Sequence, residues 1–201
     1  PRLLTRIRAA IPNPEVAHIT CFNTTPLERR LAVALNAPLY ACDPALVHWG
    51  TKSNGRKLFQ EAGVPMPAGF EDLRDEREII DALVHLKETN PNLRKAVVKL
   101  NDGFSGEGNA VFSFEGCGVN GGLRPWVAAE LPKRLRFEAA TETWDSFRQK
   151  FRQMQGIVEA WIDGEDKRSP SVQCRINPLG QTEVISTHDQ VLGGPSGQIV
   201  L

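Results

Sequence analysis

The chain has 201 residues, of which 41% are hydrophobic and 24% charged, with 24 Lys plus Arg balanced by 24 Asp plus Glu. That length can bury a real core and predicts one domain with part of another, while the balanced charge leaves no positive field to draw in nucleic acid or an anionic membrane surface. The cysteines, Cys21, Cys42, Cys117 and Cys174, have neither metal-site nor disulfide spacing, and no bilayer-length apolar run or secretory leader is readable, so a reduced cytoplasmic protein is expected.

The first 50 residues predict a strand, helix, strand unit on a small parallel sheet, with strands at 17–22 and 38–42. Thr25 with Glu28 three residues on forms a capping box, and Pro26 takes the first helical position, where its missing N–H costs nothing. A second helix is predicted over 51–62, stopped by Gly63 and Pro65, and a third from Asp75, whose spacing to Glu78 repeats the capping box. Ile79, Ile80, Leu83 and Leu86 line one face of that third helix. Strands follow at 96–100 and 110–114, with a glycine-rich hairpin loop over 101–109 and a loop or lid margin at 115–124. Trp144, Phe147, Phe151 and Met154 recur at helical spacing, and the chain finishes in strands at 157–162, 171–177 and 184–192. The absence of an initial Met and the strand-like close at Leu201 suggest an excised segment.

The chemistry-bearing stretch is AVVKLNDGFSGEGN. Lys99 ends an apolar strand, and Gly103, Gly106 and Gly108 follow in a loop whose backbone N–H groups can approach phosphates closely. A lysine before the loop is the wrong order for a P-loop and for a protein-kinase glycine loop. The loop by itself suits a flexible hairpin turn as well as phosphate binding.

Three segments in order nevertheless resemble the ATP-grasp superfamily. GTKSNGRKLFQEAGVPMP, residues 50–67, resembles the helix that carries one ATP-phosphate lysine, which places Lys52 in that role. Lys99 with Gly103, Ser105, Gly106 and Gly108 matches the second lysine and the loop covering the phosphates. VEAWIDGED, residues 158–166, resembles the hinge strand, which assigns Glu159 and the backbone of Ala160 and Ile162 to adenine and Glu165 or Asp166 to the ribose. Within the superfamily, KLNDGFSGEGNAVF and ISTHDQVLGG look most like carboxylate–amine ligases of the pheganomycin-type peptide ligase kind.

The resemblance implies an α/β fold of the α+β ATP-grasp kind. Its expected parts are a pre-ATP-grasp unit over 1–50, the N-terminal subdomain over 51–155, and the start of an incomplete C-terminal subdomain over 156–201. It implies ATP and Mg2+ as cofactors and small-molecule or peptide carboxylate and amine substrates joined through an acyl phosphate. The family's magnesium ligands find no match before Leu201 and are expected beyond it, so the segment alone is expected to bind ATP weakly or not turn over. Arg175 is a candidate catalytic residue, and His188 and Asp189 are candidates for the phosphate or substrate side, although cross-strand pairing explains all three as well. Lys52 and Lys57 also read as ordinary solvated helix lysines, and the cluster from Asp163 to Arg168 as plain surface. The alternative function is a catalytically inactive nucleotide-binding regulatory module.

Overall fold

The fold was obtained as a computed structural model, which describes residues 2–103, 106–117, 122–164, 168–193 and 199–200. It divides into two units, Pro1–Gly50 with Ile176–Thr182, and Thr51–Arg175 with Glu183–Leu201.

In the first unit, helix α1 (Arg2–Ala10) precedes a β1 (Ile19–Thr20), α2 (Pro26–Leu35), β2 (Leu39–Tyr40) motif whose two strands pair in parallel. The strands are shorter than the sequence suggested. Thr25 caps α2 as expected: its Oγ1 accepts from the Leu27 N–H at 3.2 Å and its N–H donates to the Glu28 carboxylate at 2.8 Å. The helix ends on Asn36 at φ 56°, a left-handed position that Asn tolerates.

The second unit is built on an antiparallel sheet of order β3-β7-β4-β5-β6, comprising β3 (Gly69–Leu73), β4 (Lys95–Leu100), β5 (Asn109–Ser113), β6 (Arg136–Phe137) and β7 (Gly156–Ala160). One face of that sheet is apolar. Ala96, Val98 and Leu100 of β4, Ala110 and Phe112 of β5 and Val158 of β7 pack with helices α4 (Glu76–Thr89), α5 (Leu123–Arg134) and α6 (Trp144–Met154). Leu83, Val127, Leu131, Phe112, Phe147 and Phe151 are among its fully buried side chains. Because side chains alternate along a strand, Lys99, Glu159 and Asn109 fall on the opposite face. Helix α3 (Lys52–Glu61), capped by Thr51 Oγ1 accepting from the Asn54 N–H at 3.3 Å, contributes to that face.

Several expectations change here. Residues 156–160, expected to open the next subdomain, form a strand inside this sheet between β3 and β4. The strand ends at Ala160, so Trp161 and Ile162 lie beyond it. The Asp75 side chain does cap α4, accepting from the Glu78 N–H at 3.0 Å, but Glu78 reaches back to the Arg74 N–H instead of closing a capping box. Helix α5 begins inside the stretch expected to be a loop, and β8 (Pro170–Ile176) and β9 (Thr182–Asp189) pair as a separate two-stranded sheet. The short pair β10 (Leu192–Gly193) and β11 (Ile199–Val200) is antiparallel. Among the described residues, no helix is long and apolar enough to cross a membrane.

Candidate functional site

Helix α3 turns an unusually polar face inward. Ser53 is 1% exposed and Arg56 6% exposed, which requires partners, since a buried charge is costly unless it is paired. Ser53 finds Asn101: its N–H and Oγ both donate to Asn101 Oδ1, at 3.0 and 2.6 Å, and its Oγ accepts from the Asp72 N–H at 3.0 Å. The Lys52 N–H donates to the Asn101 carbonyl at 3.2 Å, and the Asn101 N–H to the Gln155 carbonyl at 3.0 Å. The start of α3 is therefore bolted to the first residue after β4.

Arg56 forms the centre of an ionic chain. Its guanidinium meets Glu159 at 2.6 Å, Glu71 at 3.1 Å and the Pro67 carbonyl at 3.1 Å. The other oxygen of Glu159 accepts from Lys99 Nζ at 2.6 Å. Burial is the largest influence on the Glu159 carboxyl and pushes its pKa up, yet Lys99 and Arg56 together hold it below the ordinary carboxylate value. Lys52 behaves oppositely. Burial first, and then the neighbouring Lys99 cation, lower its pKa, with Asp102 and Glu159 only partly offsetting them. The Lys99 ammonium thus lies close enough to disfavour the Lys52 charge, an arrangement that a polyanion relieves.

The loop beside them is shaped for close approach. A β-carbon on Gly103 would stand 3.2 Å from the Gly108 backbone and 3.7 Å from Lys52 Nζ, and one on Gly108 would stand 3.3 Å from Leu100 Cβ. Gly106 holds φ 84°, a left-handed value that glycine adopts freely, and its carbonyl accepts from the Asn109 N–H at 2.9 Å to close the turn. The fold therefore brings Lys52, Lys99, Gly103, Gly108 and Glu159 to one place. Ser105, Glu165 and Asp166 lie outside the described residues.

Other expected site residues are placed differently. The Ala160 N–H donates to the Ala68 carbonyl at 2.8 Å and is therefore committed to main-chain pairing, and Ile162 is 70% exposed past the end of β7. Arg175 forms an ion pair with Glu183 at 2.5 Å, both exposed, as the cross-strand explanation expects. His188 and Asp189 line a surface groove with Pro170, Ser171, Val172 and Thr187. Lys57 pairs with Asp72 at 2.5 Å near the surface. Sequence reasoning missed Arg56, Glu71 and Asn101. The available signal was the i, i+4 spacing of Lys52 and Arg56 on a helix with few apolar residues to bury.

The same region matches known proteins. A family model described as IQCH-like, ATP-grasp matches residues 44–120, the span that holds both lysines and the glycine loop. Two solved structures share the fold. N5-carboxyaminoimidazole ribonucleotide synthetase in its ADP complex aligns with TM-score 0.53 and 16% identity over 94% of this chain and 41% of that one. D-alanyl-alanine synthetase A from Vibrio cholerae aligns with TM-score 0.51 and 10% identity over 84% and 42% respectively. Over residues 44–120 the chain is therefore similar to the ATP-grasp family, and its fold is shared with these two synthetases.

Two relatives by sequence are also similar to this chain. It is 30% identical to the L-propargylglycine–L-glutamate ligase of Streptantibioticus cattleyicolor over 96% of this chain, and 25% identical over all of it to IQ motif-containing protein H of Danio rerio. The chain spans 38% of the first relative and 21% of the second.

Proposed function

We propose that the chain supplies the nucleotide-binding face of an ATP-dependent ligase that joins a carboxylate to an amine through an acyl phosphate. The observation that carries this reading is the placement of Lys52, within the field of Lys99, beside a loop whose Gly103 and Gly108 pack tightly against their neighbours. The likeness to a ligase at 30% identity supports the reaction class.

A carboxylate does not react with an amine at neutral pH, because its leaving group is poor and its charge repels the nucleophile. Phosphorylation removes both obstacles, and the acyl phosphate is then attacked by the amine to give an amide, ADP and phosphate. The work left to the protein is positioning, charge stabilisation and exclusion of water. Lys52 and Lys99 neutralise the polyphosphate, and the backbone of Gly103, Gly106 and Gly108 comes close to it. Lys99 exchanges Glu159 for a phosphate oxygen. Arg56 remains on Glu159, so the acid keeps a cation, and the oxygen that Lys99 leaves becomes available to the amino group of adenine. Ser105 at the phosphates, the backbone of Ile162 and, apart from its N–H held by the Ala68 carbonyl, that of Ala160 at the base, and Glu165 or Asp166 at the ribose complete the proposed site. Magnesium, when bound, spreads the phosphate charge. Among the described residues no three His, Cys, Asp or Glu side chains gather as a metal cluster, and protein ligands of the magnesium are proposed to lie beyond Leu201.

A second reading, a nucleotide-binding regulatory module without chemistry, is favoured by the match to IQ motif-containing protein H, whose name does not describe a ligase. The test is to incubate the protein with Mg-ATP, a panel of carboxylic acids and hydroxylamine, which traps acyl phosphates. Hydroxamate formed together with ADP supports the ligase. In the full-length protein, nucleotide binding without hydroxamate from any acid supports the regulatory module, and no nucleotide binding at all contradicts both.

A further inference from the structure

Glu138, just past β6, is 6% exposed, and its Oε2 is buried without a hydrogen-bond partner. Its position follows from the register of the sheet. Ala110 stands opposite Phe137 and Val111 opposite Arg136, and the Glu138 N–H donates to the Asn109 carbonyl at 3.1 Å, so Glu138 continues the ladder opposite Asn109. Asn109 in turn stands opposite Lys99. Alternation then puts Lys99, Asn109 and Glu138 in one row across three strands, on the face away from α4, α5 and α6. With strands about 4.8 Å apart, roughly 10 Å separates the Lys99 and Glu138 backbones. Asn109 also closes the glycine loop through Gly106, so the carboxylate lies at the loop's foot.

A buried carboxylate oxygen without a partner is an uncommon thing for a fold to keep, because buried polar atoms are nearly always hydrogen-bonded. On this face Lys99 and Arg56 are matched with Glu159 and Arg56 also with Glu71, and no Lys or Arg among the described residues, Lys52 included, pairs with Glu138. We infer that Glu138 accepts the positively charged part of the ligand on this face. The inference rests on the nucleotide reading, because phosphate oxygens held by Lys52 and Lys99 would repel a bare carboxylate, and only a cationic group joins the two. That group is either a divalent cation riding on the polyphosphate or the ammonium form of the amine substrate. Magnesium needs no more than one or two carboxylates when phosphates and waters complete its shell, and an ammonium forms charge-assisted hydrogen bonds with a carboxylate.

The test compares the wild type with Glu138→Gln, which keeps shape and removes charge, and with Glu138→Asp, which keeps charge and retracts it. ATP is titrated calorimetrically in EDTA and again with Mn2+, and glycinamide is then titrated into the ATP-loaded protein. A tenfold or greater loss of Mn-ATP affinity in Glu138→Gln, with metal-free ATP unchanged within twofold, assigns the carboxylate to the metal. Unchanged Mn-ATP affinity with a tenfold loss of glycinamide affinity assigns it to the amine. In either case Glu138→Asp falls between the other two. Equal behaviour of the wild type and Glu138→Gln in all titrations overturns the inference. If the wild type binds no ATP in any form, the nucleotide reading fails by itself, and Mn2+ alone, followed by water proton relaxation, and glycinamide alone then decide Glu138. Weaker binding of either by Glu138→Gln supports its cation role, and no difference overturns it.

Discussion

Replacing Glu159 by Gln keeps the outline of the side chain and removes the charge that two cations share. The wild-type carboxylate is 10% exposed as a side chain and touches Arg56 and Lys99, whose side chains are 7% and 25% exposed. Removing one partner of a buried ion pair costs about 3–5 kcal/mol when the other is left unmatched. Here the loss is smaller, because Arg56 retains Glu71 and the Pro67 carbonyl and Lys99 can turn toward water. We expect about 2–3 kcal/mol at neutral pH, read as a lower urea midpoint by circular dichroism. The pH dependence is also specified. Because Lys99 and Arg56 hold the Glu159 pKa below its unfolded value, its stabilisation is fully present above the ordinary glutamate pKa of about 4.3 and is lost as the pH falls through the lowered folded value. The difference between wild type and variant should therefore shrink on acidification. A neutral-pH difference under about 0.5 kcal/mol, within the scatter of ordinary surface substitutions, would refute the reasoning, and so would a gap that persists unchanged into acid.

Three further outcomes are expected. A β-carbon at Gly156 would collide with the Lys99 carbonyl and would approach Phe151 Cε2 to 2.5 Å, so Gly156→Ala should prise β7 from β4 and lose about 3 kcal/mol in the same unfolding assay. Gln155 sits at φ 62° and ψ −173°, a region that suits glycine, so Gln155→Gly should raise stability by about 1 kcal/mol while preserving the carbonyl that receives the Asn101 N–H. Because the Lys52 pKa is lowered, that ammonium loses its proton before an ordinary lysine as pH rises; nucleotide affinity should fall at correspondingly lower alkaline pH, and Lys52→Arg, which stays charged, should flatten that part of the profile in fluorescence or calorimetric titrations.

Much of the fold is written in local signals. Thr25, Pro26 and Glu28 mark the start of α2, and the run Ile79, Ile80, Leu83 and Leu86 marks the buried face of α4, because caps and helical periodicity act within a few residues. What escaped was whatever depends on distant partners. Helix α5 carries Pro132 and little amphipathic order, and it is held by Val127 and Leu131 entering a core whose other members come from elsewhere in the chain. Strand β3 has a register shift between Phe70 and Leu73, with Asp72 at φ 58°, so its side chains do not alternate cleanly. At the site, Lys99 was legible because a lysine closing an apolar strand beside glycines needs an anion or water. Arg56 was not, since KSNGRK reads as a solvated helix turn, and only strand β7, a hundred residues later, brings the Glu159 that buries it. Arg175 shows the reverse case. A plausible catalytic arginine on a strand has an ordinary partner across the turn in Glu183.

The most direct measurement is calorimetric titration of the wild type, Lys52→Ala and Lys99→Ala with Mg-ATP, each variant first shown to be folded by circular dichroism. The account predicts saturable binding by the wild type and a tenfold or greater loss in each variant, equivalent to about 1.4 kcal/mol or more. Equal affinity in all three, or a folded wild type to which Mg-ATP does not bind, would contradict it.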